Sequence, residues 1–169
     1  MRLLIVVSLL FVITACGWQL RGVMPLPAEL QVLHLNSKAS HSFNQQLRLQ
    51  LEFNNVLLVS QADDAPTQLW IDEFAIERRA LAIASNGRVS EYELNGRLSG
   101  RILRPDTDQE IDLFLPARRT YRNDVDNVVG TANEERVQRQ ALEQDLIGKL
   151  MRRLQAVQFG QPDTTLAIP

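Results

Sequence analysis

The sequence predicts an α+β fold, a two-layer sandwich of two helices packed on a mostly antiparallel four-stranded sheet. Two segments with helical periodicity each carry one apolar stripe. Between them lie strand-like segments separated by turn sequences, and the clearest of these alternates apolar and polar residues over its length. Because the helices and the sheet each have one apolar face, a two-layer packing buries all of these faces together.

The composition is that of one ordinary globular domain. The chain has 169 residues, of which 45% are hydrophobic and 22% are charged, and its formal net charge is -2. A domain of this size buries roughly two-thirds of its unfolded-chain surface, so it needs neither a metal nor a disulfide to fold. The charge gives no basic field for nucleic acid. Two histidines and one cysteine exclude the usual zinc site, and we expect no metal and no cofactor.

The N-terminus is typical of an exported protein. Arg2 is followed by an apolar run, Leu3 to Ile13, which has the length of a signal-peptide core and is too short to span a membrane. The sequence predicts a signal peptide at 1–15, a lipidated N-terminus and leash at 16–29, a single α+β domain at 30–160 and a disordered tail at 161–169.

The only cysteine, Cys16, closes the sequence I-T-A-C, which resembles the lipobox of bacterial lipoproteins. The resemblance implies that its thiol carries diacylglycerol and its amine an acyl chain. One acyl chain gives only reversible membrane binding, whereas several make attachment effectively permanent. The alternative is a chance cysteine after an ordinary signal peptide, but no A-x-A site lies just downstream. Gly17 follows the cysteine, and by resemblance to Gram-negative sorting this favours the outer membrane.

The first elements of the domain are a strand, a helix and a second strand. Residues 30–35 form a strand that is apolar apart from His34, so we expect a central position in the sheet. Ser40 or Ser42 caps the helix, and Asn54–Asn55 ends it through a left-handed residue. Residues 56–59 are predicted to form a buried strand. The expected helical stripe consists of Phe43, Leu47, Leu51, Leu49 and Phe53.

Two long strands then form a hairpin around the turn sequence S-N-G-R. The returning strand places apolar residues on one face and polar residues on the other. The apolar face is expected to hold Tyr92, Leu94, Leu98 and Ile102, with Gly96 and Gly100 between them. A further strand starts at Ile111 and ends near Tyr121.

The last element is a long amphipathic helix over residues 133–157. Thr131 and Glu134 have the spacing of a capping box at its start. Gly160 and Pro162 are expected to stop it. Its predicted apolar stripe is Val137, Ala141, Leu142, Leu146, Leu150, Leu154 and Val157.

No sequence pattern indicates an enzyme. The sequence has no Gly-rich phosphate loop, since Gly96 and Gly100 lie within a strand, and it has no nucleophile elbow or H-E-x-x-H motif. Carboxylate pairs such as Asp63–Asp64 lie in loops, where a solvated turn is the more frequent role than acid–base catalysis. We therefore expect no catalytic residue.

Arginine is the one residue type whose distribution is unusual. Arginines crowd the strands and their turns, against only two lysines in the chain. A guanidinium binds a phosphate through two parallel hydrogen bonds, so a role with an anionic lipid is one explanation. The other explanation is that charged residues keep an exposed sheet face and its edges soluble.

Four sequence segments together resemble the LptE family of lipopolysaccharide-assembly lipoproteins of Gram-negative outer membranes. They are CGWQLRG at residues 16–22, VLHL at 32–35, NGRVSEYEL at 86–94, and RRTYRND at 118–124 before the last helix. The resemblance covers essentially the whole mature chain in order, and family members fold as two helices on a four-stranded sheet.

The resemblance implies a non-enzymatic protein that plugs the large β-barrel LptD, assists its assembly, and binds lipopolysaccharide for delivery to the outer leaflet. It also implies an outer-membrane location on the periplasmic side, with the acyl anchor in the outer-membrane lipid. The alternative is a generic scaffolding or cell-wall-binding lipoprotein. Family members often carry basic residues where this chain has Ser85 and Thr131. The lipopolysaccharide-binding candidates are therefore Arg88 first, then Arg118, Arg119 and Arg122.

Overall fold

Two layers, a twisted sheet and a pair of helices, make up the computed structural model, which describes residues 26–159. The helices are α1 (His41–Phe53) and α2 (Val128–Gln155). The strands are β1 (Val32–Ser37), β2 (Leu57–Val59), β3 (Thr67–Ile83), β4 (Val89–Arg104) and β5 (Gln109–Arg122), in the sheet order β2-β1-β3-β4-β5. The predicted α+β class with two helices is confirmed. Within residues 26–159 the sheet has five strands rather than the expected four.

The additional strand is the short segment after α1. Leu57–Val59 pairs in parallel with the start of β1 and forms the edge of the sheet, where His34 Nδ1 also lies 3.2 Å from the Val59 carbonyl oxygen. Only Val56, just before the strand, is buried, and Leu57 is exposed. The prediction of a buried strand was therefore wrong. β1 lies between β2 and β3, parallel to both, in the interior position that its apolar sequence predicted.

The long strands β3, β4 and β5 form an antiparallel meander that supplies most of the sheet. The turn between β3 and β4 is closed by two hydrogen bonds, and Gly87 at φ 80° adopts the left-handed conformation that such a turn requires. Leu94, Leu98 and Ile102 of β4 are fully buried, as their alternation predicted. The polar face of the meander is not covered by the helices.

Helix α1 begins and ends where its sequence predicted. The Ser40 hydroxyl accepts a hydrogen bond from the Phe43 amide at 3.3 Å, and Asn55 after the helix has φ 61°. The stripe of Phe43, Leu47 and Leu51 is fully buried. Leu49 and Phe53 do not join it: they lie two residues off the stripe, about 200° around the helix, and are 58% and 73% exposed.

Helix α2 begins earlier than predicted. Asn127 caps it by accepting a hydrogen bond from the Gly130 amide at 2.9 Å, so the expected capping box is wrong. Thr131 lies inside the helix, where its hydroxyl bonds the backbone of Asp124. Val137 is exposed. It lies nine residues before the buried Leu146, about 180° around the helix, so its side chain faces away from the sheet. The buried face is Leu142, Leu146, Ile147, Leu150, Met151 and Leu154.

The first described residues pack against the domain. Leu26, before a short 3-10 helix (Ala28–Leu30), and Leu30, its last residue, are buried. The Thr67 hydroxyl donates to the Glu29 carbonyl oxygen at 2.7 Å. The chain therefore enters where β1 and β3 begin. The predicted signal peptide, Cys16, most of the leash and the tail lie outside the described residues.

Candidate functional site

The sheet has two distinct ends, which we call the entry end and the hairpin end. The entry end is where Leu26 meets the starts of β1 and β3. The hairpin end comprises the turn at residues 84–88, the last residues of β5 and the first turn of α2. β3 joins the two ends with 17 residues, which at about 3.3 Å per residue separates them by roughly 50 Å.

Arg88 and Arg122, two of the four predicted lipopolysaccharide contacts, lie at the hairpin end. Arg88 lies in the turn, where its amide donates to the Asn86 side chain at 3.1 Å. Arg122 pairs in register with Glu91 near the start of β4. Arg118 lies four residues earlier on β5, opposite Asn95, and like Arg122 it alternates with buried residues and faces the uncovered side of the sheet. Among the described residues, none of these three guanidinium groups has an ion-pair partner.

Arg119, the fourth candidate, lies on the opposite face of β5. Its guanidinium bonds Asp145 of α2, with the shortest nitrogen–oxygen distance 2.6 Å. This pair ties β5 to the helix layer, so the charge of Arg119 already has a partner. The structure therefore does not bring Arg119 together with the other three candidates.

The remaining arginines of the uncovered sheet face are paired with carboxylates. Arg79 bonds Glu93 at 2.7 Å, and Arg97 bonds Glu77 at 2.8 Å. Hydrogen bonds from Asn95 and then from Arg79 lower the pKa of Glu93. A third pair, farther apart, joins Arg101 to Asp72 at 3.5 Å. For these arginines the explanation holds that charged residues keep an exposed sheet face soluble. Arg88, Arg118 and Arg122 differ from them, because they form no ion pair among the described residues.

A cluster around Glu135 connects α2 to the strands near the hairpin end. Its carboxylate accepts hydrogen bonds from Tyr121 of β5 at 2.7 Å, from Arg78 of β3 at 2.8 Å and from Arg139 of α2 at 2.9 Å. Arg78 also stacks 4.7 Å from the ring centre of Tyr92. Burial opposes ionisation of Glu135, but the three hydrogen bonds outweigh it and its pKa is lowered. We call these residues the Glu135 cluster.

Exposed apolar side chains accompany the unpaired arginines. Half of the large apolar residues that the structure shows as exposed lie at the hairpin end or in the loop that leaves it, and sequence analysis did not single them out. These residues are Leu81, Ile83, Val125, Val128 and Val129.

The structure has one concave region at the hairpin end and another between the two helices, away from it. A hollow of about 440 Å³ between the end of β5 and the first turns of α2 is lined by Arg122 and Thr131, but also by Asp124 and Glu134. The two carboxylates disfavour an anion inside the hollow itself. A groove of about 610 Å³ between α1 and α2 is lined in part by Leu49, Phe53, Ile147 and Met151.

Neither a metal site nor a membrane-spanning helix is present in the part of the chain from 26 to 159. No group of three or more potential metal ligands comes together there. Neither helix in that range is both long and apolar enough to cross a bilayer.

Comparison with known families decides the identity. The family model for LptE, described as lipopolysaccharide-assembly, matches residues 30–154, which is most of the chain and all of its sheet. This chain belongs to the LptE family.

Relatives in the LptE family match over almost the whole chain. The LPS-assembly lipoprotein LptE of Pectobacterium atrosepticum is 28% identical over 161 residues, covering 93% of this chain and 86% of the relative. The protein of the same name from Yersinia pestis is 29% identical over 170 residues, covering 96% and 80%.

Solved structures of similar lipoproteins share the fold. Lipoprotein B of Nitrosomonas europaea superposes with a TM-score of 0.70 at 22% identity, over 83% of this chain and 91% of that one. A minor lipoprotein of Acinetobacter baumannii has a TM-score of 0.63 at 25% identity, over 78% and 94%. The two-layer fold of this LptE-family chain is therefore shared with both.

The sequence signal for the site was incomplete. The resemblance to the LptE family pointed to the turn at residues 84–88, but it gave Arg119 the same weight as Arg118. Strand alternation could have separated the two. Ala117 and Tyr121 are buried, so Arg119 between them shares their face of β5, whereas Arg118 lies on the other face. The Glu135 cluster had no sequence signal, because Arg78 and Glu135 lie 57 residues apart.

Proposed function

We propose that this LptE-family chain is a non-enzymatic outer-membrane lipoprotein, anchored through Cys16 on the periplasmic side. It binds lipopolysaccharide, and it occupies the lumen of the LptD β-barrel, whose assembly it assists. Family membership supports both roles, and the relatives carry the name LPS-assembly lipoprotein. For lipopolysaccharide binding, the observation that carries the proposal is a set of three arginines that form no ion pair among the described residues, Arg88 in the hairpin turn and Arg118 and Arg122 on the uncovered face of β5.

Lipopolysaccharide binding requires fixed positive charge for the phosphates of lipid A. An exposed ion pair contributes only about 0.2–1 kcal/mol, so one arginine does not supply the affinity. Arg88, Arg122 and Arg118 together offer three guanidinium groups that form no ion pair within 4 Å among the described residues. Arg88 lies in the same turn as Ser85, and Arg122 lines the same hollow as Thr131. These arginines would therefore take the place of the basic residues that family members often carry at positions 85 and 131.

Occupation of a barrel lumen fits the uncovered face of the sheet. The inside of a large outer-membrane barrel is polar and water-filled, so a plug needs a surface of charged and hydrogen-bonding groups. The ion pairs of Arg79, Arg97 and Arg101 supply such a surface along the length of β3 and β4. The helix layer lies on the other side of the sheet.

Charge reversal tests the lipopolysaccharide contacts. Arg88→Asp alone should weaken binding by up to about fivefold, the effect of one exposed pair. The triple variant Arg88→Asp, Arg118→Asp, Arg122→Asp should abolish binding of lipopolysaccharide to the purified full-length protein. Its circular dichroism spectrum and its complex with the barrel should remain as in the wild type.

A second triple variant with the same change in net charge is the control. Lys38, Arg48 and Arg153 are exposed and also lack ion pairs among the described residues, but they lie away from the hairpin end. Their replacement by aspartate should reduce binding only slightly. If the arginine triple variant keeps a native spectrum and wild-type affinity, the binding site lies elsewhere and the proposal for these residues fails.

A further inference from the structure

The sequence Asn-Gly-Arg occurs twice in the chain, and the two copies have very different environments. The turn copy is at residues 86–88, between β3 and β4, and the strand copy is at residues 95–97, within β4. An asparagine before a glycine is prone to lose its side-chain amide, because glycine has no side chain to hinder attack by its own backbone nitrogen. Since the local sequence is the same in both copies, the structure decides which of them reacts.

The turn copy is exposed, and its hydrogen bonds favour this reaction. Asn86 and Gly87 are both exposed. The Asn86 side-chain oxygen accepts a hydrogen bond from the Arg88 amide at 3.1 Å. This bond folds the side chain back over the peptide that joins Asn86 to Gly87, and so brings the Asn86 Cγ toward the Gly87 nitrogen. The same bond stabilises the negative charge that develops on the side-chain oxygen when the nitrogen attacks.

One hydrogen bond opposes the reaction in the turn copy. The Gly87 amide donates to the Ala84 carbonyl oxygen at 2.9 Å, and this nitrogen must lose its proton before it attacks. The bond closes an exposed three-residue loop, where local opening costs little free energy. A Cβ placed on Gly87 would meet no atom within 4 Å, so no neighbouring group hinders the movement.

The strand copy is held on both sides and from above. Asn95 pairs with Glu77 of β3 and with Arg118 of β5, so its backbone lies in the interior of the sheet. Gly96 is buried beneath α2. Attack by the Gly96 nitrogen therefore requires β4 to separate from its neighbours, which costs a large part of the free energy of unfolding.

We infer that Asn86 is a deamidation site of the folded protein and that the sheet protects Asn95. The Gly87 nitrogen gives its proton to hydroxide and forms a bond to the Asn86 Cγ. The bond from Cγ to Nδ2 then breaks, and Nδ2 takes a proton from water and leaves as ammonia. Water opens the resulting succinimide at either carbonyl, which gives aspartate or isoaspartate at position 86. The reaction needs no oxidant, reductant or enzyme.

The product changes both the charge and the backbone of the turn. At neutral pH the new carboxylate adds one negative charge close to Arg88. Isoaspartate also adds a carbon to the backbone of a loop that is closed by bonds from Ala84 to Gly87 and Arg88, so we expect these bonds to be lost. The inference does not depend on what the hairpin end binds, and it stands or falls separately from the proposed function.

Peptide mapping measures both copies in one sample. Trypsin cleaves after arginine and releases ALAIASNGR, residues 80–88, and VSEYELNGR, residues 89–97, so each peptide carries one copy at its end. Purified full-length protein is incubated at mildly alkaline pH in heavy-oxygen water and then digested at mildly acidic pH in ordinary water. Because the oxygen comes from the water that opens the succinimide, the label marks conversion before digestion. The same incubation in concentrated urea is the unfolded control.

In the folded protein Asn86 should convert at least about a hundredfold faster than Asn95, the factor that an opening cost of about 2.7 kcal/mol produces. In urea the two copies should convert at similar rates, because their local sequences match. Conversion of Asn86 should become faster as the pH rises, since the attacking nitrogen must lose a proton.

Two matched variants test the site in the intact protein. Asn86→Gln should prevent the acidic form that isoelectric focusing detects after incubation, because the longer side chain cyclises much more slowly. Asn95→Gln should acquire the acidic form at the rate of the wild type.

Three results would overturn the inference. The first is an Asn86 that stays intact in the folded protein but converts in urea, which would show that the turn protects it. The second is equal conversion of Asn86 and Asn95 in the folded protein, which would show that the sheet gives no protection. The third is an acidic form in Asn86→Gln equal to that of the wild type, which would place the reactive residue elsewhere.

Discussion

Adjacent residues of one strand can have opposite roles, as Arg118 and Arg119 of β5 show. Arg119 points toward the helices and bonds Asp145 at 2.6 Å, whereas Arg118 faces the uncovered side and has no ion-pair partner among the described residues. Ion pairing also separates two arginines of the same uncovered face: Arg97 bonds Glu77, whereas Arg122 has no ion-pair partner among the described residues. At the scale of single residues, the sequence shows where arginines are abundant, and the structure shows which of them are available to a ligand.

Acylation of Cys16 is the first prediction at this scale. Mass spectrometry of the mature N-terminus should show lipid on Cys16, because it is the only cysteine and follows I-T-A after an apolar run. Cys16→Ala should leave an uncleaved precursor, while the domain still folds because its described core begins at Leu26. An unmodified thiol, or a mature N-terminus at another residue, would disprove the anchor.

Two glycines of the hairpin should respond very differently to alanine. A Cβ on Gly100 would lie 2.0 Å from the Trp70 carbonyl oxygen, so the backbone of β3 or β4 must shift. We expect Gly100→Ala to lower the free energy of unfolding by about 3 kcal/mol. A Cβ on Gly87 meets nothing within 4 Å, but its φ of 80° is strained for alanine, and we expect a loss of about 1 kcal/mol.

Urea denaturation followed by circular dichroism measures both effects. Equal losses in the two variants would contradict the close approach of β3 and β4 at Gly100.

At the scale of elements, the Glu135 cluster fixes α2 to the strands that carry the hairpin. The folded-state pKa of the Glu135 carboxyl is lowered below the ordinary value. Burial opposes this shift, but the hydrogen bonds from Tyr121, Arg139 and Arg78 to the carboxylate outweigh it. A lowered carboxyl pKa gives stability that is complete above the unfolded-state pKa of about 4.5 and is lost as the pH falls through the lower folded-state value. The cluster should therefore weaken below pH 4.5.

Glu135→Gln tests this assignment. At pH 7 we expect the variant to lose about 1–3 kcal/mol of unfolding free energy, since charged hydrogen-bond partners are left less well satisfied. Its stability should also depend less on pH below 4.5 than that of the wild type. Glu134→Gln, one residue away and exposed, is the matched control and should behave like the wild type. Equal pH dependence in Glu135→Gln and the wild type would refute the assignment.

Element by element, periodicity predicted what local residues determine. The cap at Ser40, the left-handed Asn55, the hairpin turn and the buried face of β4 all follow from short-range spacing. Leu49, Phe53 and Val137 were assigned to buried stripes wrongly, because each lies about 180–200° around its helix from the buried residues and faces away from the sheet. The start of α2 was also missed: Asn127 caps it, and Thr131 is instead engaged by Asp124 of the preceding loop.

At the scale of the whole molecule, the fold class followed from the patterning, whereas the composition of the site did not. Long-range pairing decides which arginines are neutralised, and no local pattern links residues as far apart as Arg79 and Glu93 across a hairpin or Arg78 and Glu135 across a domain. The separation of roughly 50 Å between entry end and hairpin end likewise emerges only from the sheet register. The predicted anchor and the proposed lipopolysaccharide site therefore lie at opposite ends of the sheet.

Site-specific crosslinking in intact cells tests the central claim, that the domain works inside a large outer-membrane barrel, most directly. A photoreactive residue at Asn86 in the hairpin turn, or at Asn127 before α2, should trap the chain with the LptD barrel, and the complex should co-purify from membranes. Recovery of only free monomer, or of crosslinks only to cell-wall or scaffolding components, would contradict the account.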